Sequence, residues 1–152
     1  MTFRSLNILA ESFDPEDAHK NFRVAVSGAG AIVAFTGLVR GASDSKDLTL
    51  TLSHYPEFTE AEIERIAATA EQRWPLSGWQ IIHRVGAMKA YEPIVFVATA
   101  SKHRRAAFEA ADFLMDYLKS EAPLWKRETV DGQESWIEPR AADIDDKKRW
   151  SS

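Results

Sequence analysis

The run from Tyr117 to Glu128 holds three cations, Lys119, Lys126 and Arg127, around one helix break. Lys119 is placed to close a helix, Pro123 stops it, and Lys126 lies on the segment that turns away. Two amines meeting across a break can hold an anionic substrate and depress each other's pKa. Met115 and Leu118 border Lys119, and Trp125 precedes Lys126, so apolar walls stand near both. A partly desolvated lysine beside another cation can act as base or nucleophile. The plain alternative is that both are solvated surface lysines.

A second basic cluster, His103-Arg104-Arg105, begins the same long helix. Free N–H groups and the positive dipole end at a helix N-terminus suit phosphate or carboxylate. From His103 to Lys119 is about 24 Å of helix at roughly 1.5 Å per residue, with the side chains about 160° apart. The clusters therefore cannot line one small pocket within one chain. A twofold dimer with antiparallel long helices would bring His103 and Arg104 of one chain to Lys119 of the other. Arg40 closes a strand before a polar loop and can clamp an anion. It reads equally as a surface arginine.

Those residues need elements to position them. The pattern predicts a strand at 5–10, then a short helix capped by Asp14 with Pro15 in its first turn. Strands follow at 31–39 and 48–54, separated by a polar loop at 41–47. Thr59-Glu60-Ala61-Glu62 reads as a capping box opening a helix that ends near Trp74-Pro75. Strands at 79–85 and 94–100 come next, the second nearly all apolar and expected mid-sheet. The long helix spans about 103–121. Residues 124–138 form a hairpin around Asp131-Gly132, a type I′ turn signal that pairs Val130 with Gln133, Arg127 with Trp136 and Lys126 with Ile137. The tail from Arg140 is charged, with Trp150 available for packing. This order predicts a single two-layer α+β domain over residues 1–152.

The 152 residues suit one core, with 45% hydrophobic and 28% charged residues. A net charge of −4 argues against a nucleic-acid partner. No stretch is long and apolar enough for a membrane span, and the N-terminus lacks a signal-peptide pattern, so the expected setting is cytoplasmic. The chain has no cysteine, which excludes disulfides and any thiolate or persulfide chemistry of its own. No histidine or carboxylate set has metal spacing, and the glycines form no nucleotide fingerprint, so no metal or cofactor is expected. His54 and His83 read as structural.

Ordered blocks run through most of the chain: Phe35-Thr36-Gly37-Leu38-Val39-Arg40, His54-Tyr55-Pro56, Arg73-Trp74-Pro75-Leu76, and Ile82-His83-Arg84-Val85-Gly86. They continue as Ser101-Lys102-His103-Arg104, Phe108-Glu109-Ala110, Met115-Asp116-Tyr117-Leu118-Lys119, Ala122-Pro123-Leu124-Trp125-Lys126-Arg127-Glu128 and Lys148-Arg149-Trp150. In these blocks the chain resembles the MoaE family, the large catalytic subunits of molybdopterin synthase. The resemblance implies an α/β hammerhead-type fold with an added antiparallel β subdomain. It implies a homodimer within a heterotetramer, completed by a small ubiquitin-like sulfur carrier with a C-terminal Gly-Gly thiocarboxylate. The implied sulfurtransferase reaction moves sulfur from that tail to cyclic pyranopterin monophosphate, forming the dithiolene of molybdopterin.

Carried over by residue, Lys119 and Lys126 match the family's essential lysines. His103 and Arg104 match an anion-binding pair supplied by the neighbouring subunit. Arg40 matches the arginine closing a Gly-x-Val-Arg block, and Arg127 and Glu128 follow the second lysine. Leu38 and Val39 fall in the same substrate-side block, although Leu38 departs from relatives with lysine there. The competing class is a non-catalytic dimeric module that binds an anion or docks a partner.

Overall fold

The computed structural model describes residues 1–40, 48–137 and 140–151. The polar loop expected at 41–47 and the last hairpin residue, Glu138, lie outside the described residues. Twelve elements follow in order. They are β1 (Phe3–Leu9), α1 (Pro15–Ala25), β2 (Ala31–Leu38), β3 (Leu48–His54), α2 (Pro56–Arg73) and β4 (Leu76–Arg84). Then come β5 (Gly86–Lys89), β6 (Pro93–Ser101), α3 (Arg104–Ser120), β7 (Leu124–Val130), β8 (Gln133–Ile137) and α4 (Ala141–Lys148).

Two four-stranded sheets organise the chain. The first has the order β1-β4-β6-β2, with β1 parallel to β4 and the other pairs antiparallel. β6 lies in its interior, as its apolar run requires. The second, wholly antiparallel, has the order β5-β3-β7-β8 and is the added β layer. Alternation in β3 buries Leu48, Leu50 and Leu52, which pack with Val39 and Met88.

Helices cover both faces of the first sheet, so the expected two layers gain a third at α1. On one face α1 places Ala18, Phe22 and Val26 against Ile82, Phe96 and Ala98. On the other, α2 and α3 place Ile63, Ile66, Phe113 and Leu114 against Trp79, Ile81 and Val97. Apolar burial of this kind is worth roughly 25 cal/mol per Å² and dominates the stability.

Three local outcomes differ from the sequence expectation. α2 begins at Pro56, three residues before the expected capping box, with Tyr55 at the N-cap and no side-chain cap bond. Proline at the first helical position explains the earlier start. Thr59 is instead fully buried. Its hydroxyl donates to the Pro123 carbonyl at 3.0 Å and accepts from the Tyr55 N–H at 3.1 Å. β5 was not expected: four residues starting at a glycine with φ 85° carry little periodicity. Nor was α4, which buries no residue of its own. It is held by Arg149, which pairs with Asp112 and Asp116, and by Trp150, which stacks edge-on against Trp74 and Phe113.

The hairpin follows its predicted register, Val130 with Gln133, Arg127 with Trp136 and Lys126 with Ile137. Asp131 and Gly132 both have positive φ, 51° and 84°, as a type I′ turn demands.

Candidate active site

α3 ends at Ser120, with its C-cap N–H on Glu121 donating back to Tyr117. The chain then turns at Pro123 and enters β7. Thr59 of α2 anchors that turn through the Pro123 carbonyl, so the junction between the lysines is pinned to a second helix. The result is a cleft of about 490 Å³ between the end of α3, the edge of β2 and the second sheet.

Six of the nine expected site residues line this cleft: Leu38, Val39, Arg40, Lys119, Lys126 and Glu128. Met115 and Leu118 give the apolar wall beside Lys119, as their helical spacing predicts. Lys126 is partly buried. Burial lowers its pKa, with help from the charge and adjoining amine of Lys119 and opposed by Asp143, to about 8. An amine so poised is part neutral near neutral pH, and can take a proton or offer a lone pair.

Arg127 does not join them. Lys126 and Glu128 share one face of β7, and strand alternation turns Arg127 to the other. There it lies opposite Trp136 and 3.8 Å from Glu134. His103 and Arg104 are also outside the cleft, exposed at the far end of α3. Helix geometry requires this separation within one chain. His103 is the N-cap and makes no side-chain cap bond, and the first turn of α3 carries no acid. Arg104 and Phe108 lie four residues apart on one helix face, and Phe108 is 58% exposed. Phe35, on the edge strand β2, is 41% exposed.

Three titratable cleft residues were given no site role from the sequence. His83, read as structural, faces the floor of the cleft from β4. Arg140 and Asp143 reach it from the start of α4. The block Lys148-Arg149-Trp150 was the available signal for the last two, because it docks α4 onto α3 through Asp112 and Asp116. Among the described residues, no group of three or more His, Cys, Asp or Glu could hold a metal ion.

Comparison with known proteins places this architecture. Residues 8–121 match the profile of the family described as MoaE protein. The chain is 42% identical over 147 residues to the molybdopterin synthase catalytic subunit of Pseudomonas aeruginosa, covering 96% of this chain and 98% of that one. It is 54% identical over 125 residues to the protein of the same name from Mesorhizobium japonicum, covering 81% and 78%. Among solved structures, the molybdopterin cofactor biosynthesis protein E of Burkholderia multivorans superposes with a TM-score of 0.83 at 37% identity, covering 99% and 98%. With a matching fold, a matching profile and full-length relatives at this level of identity, the chain belongs to the MoaE family.

Proposed function

We propose that this protein is the catalytic subunit of a molybdopterin synthase. It transfers sulfur from the C-terminal thiocarboxylate of a small ubiquitin-like carrier to cyclic pyranopterin monophosphate. The observation that carries this is the pairing of Lys119 with Lys126 in one cleft, with the second amine tuned to about 8. Simple anion binding has no need of a lysine whose charge is destabilised at its own site.

In this account Arg40 holds phosphate or pterin oxygens at the cleft mouth. Lys119 meets the arriving thiocarboxylate and assists attack of its sulfur on the substrate carbon, where the new C–S bond replaces a C–O bond and the oxygen substituent leaves. Lys126 accepts a proton or stabilises developing negative charge, according to its state at that moment. Glu128, Leu38 and Val39 shape the wall. Water releases the carrier as a carboxylate. The missing cysteine fits a reaction whose sulfur arrives on another chain. Arg127 is assigned to the outer face of the second sheet, away from the substrate.

A second copy of the chain supplies His103 and Arg104. Support comes from the exposed Phe108 beside Arg104 and the exposed Phe35 on an edge strand, both suited to burial between subunits. With two carriers the assembly is a heterotetramer, each copy one domain over 1–152. The setting is cytoplasmic, supported by the absence of cysteine and by described helices too short or too polar to cross a membrane.

The test is reconstitution. The purified chain, mixed with thiocarboxylated carrier and cyclic pyranopterin monophosphate, forms a dithiolene product, and carrier with a plain carboxylate gives none. Precursor binding without conversion would instead establish an anion-binding module.

A further inference from the structure

The ladder between β2 and β6 ends at Leu38, which lies opposite Pro93, and its register slips between Gly37 and Leu38. Proline has no N–H to give, so the regular pairing stops there. The turn between β5 and β6 takes over. The Val39 N–H donates to the Glu92 carbonyl at 2.9 Å, and the Tyr91 N–H donates to the Val39 carbonyl at 2.7 Å. Both backbone groups of the residue before Arg40 are thus gripped by residues 91 and 92. Val39 and Arg40 line the cleft, and Val39 is 2% exposed.

That turn is strained. The Glu92 N–H closes it onto the Lys89 carbonyl at 3.2 Å, and Tyr91 has φ 72° at the third position, where a type II turn usually takes glycine. Such backbone persists where its surroundings hold it, and it clusters at functional sites. The Glu92 carboxylate holds it here. Its Oε2 accepts the Lys89 N–H at 2.6 Å, and its Oε1 lies 3.5 Å from Nη1 of Arg84. Arg84 ends β4 and is 5% exposed. Its Nη2 donates to the Ala10 carbonyl at 3.1 Å, just past β1. Its Nε and Nη1 have no hydrogen-bond partner among the described residues, and Glu92 supplies the counter-charge. A buried guanidinium paired this loosely adds little stability. It does tie the turn to the end of the first sheet.

We propose that Arg84 and Glu92 are positioning residues: their ion pair pins the 89–92 turn, the turn grips Val39, and Val39 fixes Arg40 at the cleft mouth. Neither Arg84 nor Glu92 belongs to the cleft lining, so both act through Arg40 and not on the substrate. A rigid strand end holds the Arg40 guanidinium where a bound anion needs it, and spares the substrate the cost of ordering it. This role deepens the sulfur-transfer reading of the cleft and rests on it for its catalytic meaning, whereas the binding behaviour it predicts does not.

The experiment is a double-mutant cycle between Glu92 and Arg40, read by calorimetric binding of cyclic pyranopterin monophosphate to the folded full-length chain. Glu92→Ala frees the turn and should raise Kd by about fivefold or more. Arg40→Ala should raise it at least as far. In the Arg40→Ala background, Glu92→Ala should change Kd by less than about twofold, because the residue it positions is gone. A role in stability alone would lower Tm without this dependence on Arg40. If Glu92→Ala does not fold, Glu92→Gln takes its place in the cycle. It keeps an acceptor for the Lys89 N–H, removes the charge facing Arg84, and should raise Kd by about threefold. A folded Glu92 variant that binds like wild type overturns the proposal. So does an equal loss in both backgrounds, or an Arg40→Ala variant with wild-type affinity. Product formation is measured separately: a wild type that binds the precursor but makes no dithiolene refutes the sulfur-transfer role and leaves the coupling of Glu92 to Arg40 standing.

Discussion

Lys126 on β7 meets Lys119 from the last turn of α3 in one cleft, and burial aided by that neighbouring charge brings the Lys126 pKa down to about 8. The Pro123 turn between them is tied to buried Thr59. A charge destabilised in this way costs stability, as is common where a site needs one.

That cost is measurable. A lysine whose folded pKa lies below its unfolded value is charged at neutral pH at the expense of the native state. The penalty is fully present below about pH 8 and fades as pH rises towards the ordinary 10.5. Lys126→Met should therefore stabilise the protein at pH 7 by about 1–2 kcal/mol, after allowance for partial exposure of the amine. It should also abolish turnover. Denaturant unfolding of both proteins at pH 7 and pH 10 checks this, with the gap between them narrowing at the higher pH.

Lys119 contributes to the lowered pKa, so removing it should relax Lys126. In Lys119→Ala the Lys126 pKa rises above 8 but stays below 10.5, because burial is the larger cause. Carbon-detected NMR titration of the Lys126 side chain reads this directly.

Thr59 joins α2 to the turn that sets the lysines apart. Thr59→Val keeps the shape but strands the Tyr55 N–H and the Pro123 carbonyl. The expected loss is about 1–2 kcal/mol, or roughly 2–6 °C in Tm. Thr59→Ser, which keeps the hydroxyl, should lose less than half of that. Thermal unfolding of the two variants side by side is sufficient.

Much of this was legible in the sequence. Lys119 and Lys126 stood out because a proline separates them and apolar residues flank both. The hairpin register followed from Asp131-Gly132 alone, since a two-residue turn fixes every later pair. The same register shows why Arg127 leaves the site: adjacent strand residues point to opposite faces, so a cation next to Lys126 cannot share its cleft. His83 was hidden because periodicity gives a side chain's face and not what lies opposite that face. Thr59 was misread as a cap because its local pattern was satisfied, while its partner lies 64 residues away. Arg140 and Asp143 were lost in a charged tail whose helix is docked on Asp116 through Arg149 and Trp150.

The far end of α3 gives a prediction about assembly. Arg104→Ala and Lys119→Ala should each abolish turnover as homodimers. Mixed and allowed to exchange subunits, they should regain activity, because one of the two clefts in a mixed dimer then has all its residues. Random pairing makes half of the dimers mixed, so recovery approaches about a quarter of wild type. No recovery, with exchange verified by mass spectrometry, would place Arg104 outside the site.

The proposed sulfur transfer depends most directly on Lys119. Single-turnover formation of the dithiolene from thiocarboxylated carrier and cyclic pyranopterin monophosphate should drop by about 10³-fold or more in Lys119→Ala, with circular dichroism and dimer mass unchanged. Near-wild-type product formation by that folded variant would contradict it.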